Sequence, residues 1–151
     1  MEPTYTPLAT TARIILGHTL TTHAAPFDDL HPTAFFFDDD GSTTSMMSDT
    51  NPYASLLRIG EEPFPLSASG IGLIHCGWVA PTSEFAPSES PDRKRIVCVF
   101  LISRTFEREC VMQVEGVPNN PTSAGGGEGA LADALEEALT RSYWNRLLEF
   151  G

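Results

Sequence analysis

Between residues 8 and 23, apolar side chains recur at Leu8, Ala12, Ile15, Leu16 and Leu20. Intervals of 4, 3, 1 and 4 place them on one helical face, so the pattern predicts a helix, although seven threonines in the first 22 residues lower its intrinsic propensity. The period then changes. Residues 33–37 (TAFFF) are dense in aromatics and read as a strand. Asp38-Asp39-Asp40-Gly41 is a turn whose Asp-Gly pair favours positive φ, and residues 42–47 complete a hairpin. A short helix follows at 52–59, with Pro52 in its first position and Asp49 or Asn51 as its cap.

After a loop at 61–66, the runs IGLIHCGWV (71–79) and RIVCVFLIS (95–103) are apolar on both faces. That marks strands covered from both sides, the second of them central. RECVMQVE (108–115) alternates instead. Cys110, Met112 and Val114 face one way and Glu109, Gln113 and Glu115 the other, which predicts a half-buried antiparallel strand at the sheet edge. Residues 130–149 form an amphipathic helix with Leu131, Leu135, Ala138 or Leu139, Tyr143 and Leu147 inward. Asp133, Glu136, Glu137 and Arg141 point away, with Glu137 and Arg141 at the favourable i,i+4 spacing.

The predicted order is α-β-β-α-β-β-β-α, with no internal repeat. It reads as a single α+β domain over residues 1–151, with about five mostly antiparallel strands covered by the N- and C-terminal helices. Residues 1–7 read as a loose arm, and 80–92 and 116–129, rich in Pro, Ser and Gly, as flexible loops. This element order is similar to that of profilin-like and roadblock-like domains, a likeness at fold level that fixes no function.

Length supports the single domain, since a chain of 151 residues buries about 68–70% of its unfolded surface and needs no staples. Charge narrows the function. Twenty acidic and nine basic residues give a net charge of −11, and the densest basic run, Arg93-Lys94-Arg95, lies beside Glu89 and Asp92. That balance excludes nucleic-acid binding by direct phosphate contact and opposes an anionic membrane surface. No segment approaches the ~18 apolar residues of a membrane span, and the first apolar stretch, Ile14-Ile15-Leu16, is too short for a signal sequence. The cysteines, Cys76, Cys98 and Cys110, are odd in number and lack a CxxC spacing. They predict a chain without disulfides in a reducing cytoplasm.

Four places offer chemistry. Asp28, Asp29 and His31, followed by Asp38 to Asp40, supply carboxylates and an imidazole for a metal ion, yet no HExxH or twelve-residue calcium loop is present; acidic loops explain them equally well. His75 and Cys76 are neighbours on a strand and so face opposite ways, which prevents their pairing as base and thiolate. Gly125-Gly126-Gly127-Glu128-Gly129 precedes a helix but lacks the GK[ST] of a phosphate loop, and Glu128 suits the helix dipole rather than an anion. Trp78, at a strand end beside a Pro-rich loop and near Arg93 and Arg95, has the composition of an interaction hot spot, as does Trp144, which lies about 100° off the core face of its helix.

The composite expectation is a non-enzymatic protein-interaction or regulatory module, with no cofactor and a protein partner, either another chain or a second copy. Trp78, Arg93, Arg95 and Trp144 are its candidate contacts. The alternative is a small metal-dependent hydrolase using Asp28, Asp29, His31 and His75. A third is an acidic mimic of nucleic acid, set against the eight arginines interleaved with its acids.

Overall fold

The computed structural model describes residues 7–22, 31–79, 94–114, 122–123 and 129–150. Its elements are α1 (Pro7–Thr22), β1 (Thr33–Phe37), β2 (Thr43–Ser48), α2 (Pro52–Gly60), β3 (Gly70–Val79), β4 (Lys94–Ser103), β5 (Arg108–Val114), β6 (Thr122–Ser123) and α3 (Ala130–Phe150). The α+β class, the single domain and the predicted succession of elements all hold. The glycine-rich stretch adds one feature its composition did not signal, the two-residue strand β6.

The strands form one antiparallel sheet in the order β2-β1-β3-β4-β5-β6. β2 and β3 flank β1 on opposite sides, so α2 carries the chain across it. Asp38–Gly41 turns between β1 and β2 as expected, with Asp40 Oδ1 accepting from Ser42 N at 2.9 Å. Asn51, not Asp49, caps α2: its Oδ1 accepts from Ala54 N at 2.9 Å, and Pro52 follows in the first turn. An asparagine side chain there satisfies one of the amide donors that a helix start leaves without a partner.

Both sheet faces are covered. α1 packs on Phe35, Phe37, Val97, Val99, Leu101 and Val111. On the other face α2 and α3 pack on Phe36, Ile71, Leu73 and Ile102, with Phe64 between them. Three consecutive phenylalanines can all be buried because successive strand residues point to opposite faces and each face has its helix. Each such burial contributes about 1.5–3 kcal/mol.

Coverage from both sides corrects the reading of β5. Glu109 and Gln113, expected at the solvent face, are buried. They share a face with Val111, which lies under α1. Nor is β5 an edge along its whole length, because Val111 and Met112 pair with Ser123 and Thr122 of β6. Among the described residues no helix is long and apolar enough to cross a membrane.

Candidate interaction surface

The C-terminal half of α3 is fastened to the segment that follows α2 by polar side chains. Ser142 Oγ donates to Glu62 O at 2.6 Å, and Ser142 O accepts from Phe64 N at 3.1 Å. Asn145 Nδ2 donates to Gly60 O at 2.8 Å and Arg146 Nη1 to Phe64 O at 3.1 Å. Tyr143 OH reaches Arg104 O at 2.7 Å, and the Tyr143 ring packs against Phe64 at 4.7 Å between centroids. Burial raises the Tyr143 phenol above its ordinary pKa, so it remains a donor at neutral pH. Gly60 makes the close approach of the two helices possible: a Cβ there would stand 3.3 Å from the Ala138 backbone.

These bonds explain a second correction. Leu147 was expected in the core, but at this end of α3 the inward arc belongs to Ser142, Asn145 and Arg146, and Leu147 is 58% exposed. Trp144 is 61% and Leu148 80% exposed beside it. At 3.6 residues per turn, Trp144, Leu147 and Leu148 are neighbours on the outward arc, and Glu137, Arg141, Trp144 and Leu148 lie on one stripe. From α2, Tyr53 and Leu57, one turn apart, are 46% and 55% exposed.

Between the helices runs a groove of about 190 Å³ lined by Tyr53, Leu56, Leu57, Ala134, Ala138 and the stems of Glu137 and Arg141. Glu137 and Arg141 were expected to pair with each other. They form no ion pair, and instead both line the groove. Four large apolar side chains, Tyr53, Leu57, Trp144 and Leu148, are thus exposed on this α2–α3 face, while Leu147 lies opposite Ala138 around α3. A second groove, about 180 Å³, lies between α1 and the β1–β2 hairpin and includes His18, Thr43 and Met46.

The other sequence candidates separate. The register sets Trp78 opposite Arg95 at one end of the β3–β4 ladder. Trp144 follows Tyr143, which bonds to Arg104 beyond the other end of β4. Arg95 and Arg104 are nine residue steps apart along the strand, about 30 Å, so Trp78 and Arg95 do not join Trp144 in one surface. Arg93 lies outside the described residues, as do Asp28, Asp29 and most of the glycine-rich segment. His31 is described and exposed, its carbonyl accepting from Thr33 Oγ1 at 3.0 Å. Among the described residues no three His, Cys, Asp or Glu side chains stand close enough together to hold a metal ion.

His75 and Cys76 do face opposite ways. Cys76 packs with the α1 cluster, while His75 stands across from Cys98, which stands across from Met112. The Cys98 thiol hydrogen-bonds to Cys110, and that bond together with burial pushes its pKa up, so it is no thiolate nucleophile at neutral pH. His75 Nδ1 is buried with no hydrogen-bond partner, and burial, then the Arg95 guanidinium, push its pKa down.

The exposed rim of α2 is the part that sequence reasoning missed. Its signal was present as Tyr53 and Leu57 at i,i+4 in a helix whose other side holds Leu56 and Ile59. Comparison with protein-family models, with curated proteins and with solved structures returns no match.

Proposed function

We propose that this chain is a non-enzymatic protein-interaction or regulatory module whose docking surface is the α2–α3 face. The observation that carries the reading is the exposure of Tyr53 and Leu57 beside the groove on α2, and of Trp144 and Leu148 on the α3 stripe that continues from its lining residues Glu137 and Arg141. Large apolar side chains clustered on a surface mark recognition sites, and aromatic anchors dominate binding energy at interfaces. The helices beneath are held by buried hydrogen bonds, so the surface is presented by rigid elements and changes little on binding. Cys76, Cys98 and Cys110 are not joined in disulfides, which suits a reducing cytoplasm.

The test compares tagged wild-type chain with Leu57→Glu and Trp144→Glu in capture from lysate of the source organism, quantified by mass spectrometry. The reading expects a protein recovered near stoichiometry with the wild type and lost with both variants. If every protein captured by the wild type is captured equally by the variants, this face is not the docking surface.

A further inference from the structure

We propose that Cys98 and Cys110, with the thioether of Met112 beside them, form a binding site for one soft monovalent metal ion of the copper(I) class. The site is separate from the α2–α3 docking surface and does not depend on it.

Sulfur gathers where β4 meets β5. Cys98 stands across from Met112, and Phe100 across from Cys110, so the two thiols are diagonal neighbours on one face of the sheet. The Cys98 thiol hydrogen-bonds to Cys110. Both cysteines are buried with Ile96, and Phe100, Met112 and Val114 pack around them. Cys76 points to the opposite face, into the α1 cluster, and is not part of the set. Met112 and Val114 are only partly buried, so the pair lies close beneath the surface on the β5 side.

Donor chemistry then selects the ion. Calcium and magnesium take oxygen ligands, and the polar residues of β5, Glu109 and Gln113, lie on its other face with Val111. The surroundings of the pair are hydrocarbon and sulfur. Zinc takes four ligands in a closed site, and no three His, Cys, Asp or Glu side chains among the described residues meet to begin one. His75, across from Cys98 on β3, supplies no third donor, because its Nε2 leans toward Gly77, 3.8 Å from where a Cβ would stand there. Thiolate and thioether are the soft ligands that select copper(I), whose filled d shell imposes no fixed geometry, so a thiolate pair suffices with the thioether as a weaker donor. Binding is a proton exchange. The ion bonds to each sulfur, both S–H bonds break, two protons pass to solvent, and no electron moves. The hydrogen bond to Cys110 and burial make Cys98 hold its proton tightly, so ion and proton compete and affinity rises with pH.

The experiment titrates the reduced full chain with copper(I) under argon, in competition with the chelator bathocuproine disulfonate. Folding of each variant is read by circular dichroism and melting. The expected result is one ion per chain, held about a hundredfold more tightly for each unit rise in pH as two protons leave. Cys98→Ala and Cys110→Ala should each weaken binding about a hundredfold or more. Met112→Leu, which keeps the side chain's volume, should weaken it about tenfold, and Cys76→Ala should leave it unchanged. X-ray absorption at the copper edge, read on the wild-type complex and so independent of any variant's folding, should show sulfur neighbours alone. A wild-type chain that loses the ion to the chelator overturns the site. So does an ion retained in Cys98→Ala, an ion lost in a folded Cys76→Ala, or a spectrum of nitrogen and oxygen neighbours. Unchanged binding in Met112→Leu overturns the part given to the thioether.

Discussion

Gly72 is the position where one added methyl group tests the account of the core most directly. It lies on β3 across from Phe35, and a Cβ there would stand 2.4 and 2.6 Å from Cε2 and Cζ of the Phe35 ring and 2.7 Å from Leu101 Cδ2. Phe35 and Leu101 are fully buried beneath α1, so neither has free space to move into. Two effects oppose each other in Gly72→Ala. Replacing a strand glycine removes backbone freedom from the unfolded chain and favours the fold by about 0.5–1 kcal/mol. Overpacking a tight core costs about 1–3 kcal/mol. The clash wins, and the net loss is about 0.5–2 kcal/mol, or about 1–8 °C in melting temperature for a chain of this length.

The cause is isolated by a double-mutant cycle. Phe35→Leu removes the two ring atoms that the new methyl would strike, at the cost of a cavity. Chemical denaturation of the wild type, both single variants and the double variant gives the coupling. The double variant should lose at least about 0.5 kcal/mol less than the sum of the single losses. Additive losses, or a Gly72→Ala chain as stable as the wild type, would refute the packing drawn here.

Ser142→Ala deletes the buried hydroxyl that donates to Glu62 O at 2.6 Å, and should lower stability by about 1–3 kcal/mol in urea titration; an unchanged midpoint would mean that α3 is not fastened there. Trp144→Ala, at a 61% exposed position, should stay within about 0.5 kcal/mol of wild type by the same titration while reducing partner capture; a large stability loss would place the ring in the core instead. Trp78→Ala, at the far end of the β3–β4 ladder from the α2–α3 face, should leave partner capture unchanged, and a loss of capture with the fold intact would move the docking surface to that end. His75 titrates below its ordinary value of 6.5 because burial, then Arg95, disfavour the imidazolium. The unfolded chain therefore takes up this proton first, and the stability from neutral His75 is complete above about pH 6.5 and lost as pH falls toward the folded-state value. Melting temperatures between pH 7 and 5.5 should fall less steeply in His75→Phe than in the wild type, and parallel curves would contradict that role.

The elements were legible in the order of residues because their causes are local. A period near 3.6 marks α1, the Asp-Gly pair marks the β1–β2 turn, and an asparagine before proline marks the start of α2. The double-sided apolar runs of β3 and β4 also announced strands covered on both faces. Which elements do the covering depends on contacts between residues far apart in the chain, and no local pattern contains it. Glu109 and Gln113 alternate like solvent-facing residues, yet α1, about a hundred positions earlier, packs on the face they share with Val111. Leu147 continues the apolar stripe of α3, yet carbonyls of residues 60–64 draw Ser142, Asn145 and Arg146 inward and leave Leu147 outside. Trp78, Arg95 and Trp144 share the composition of hot spots, and only the sheet shows that the ladder keeps them at opposite ends. The α2–α3 groove needs two segments some eighty residues apart, so it exists in the tertiary structure alone.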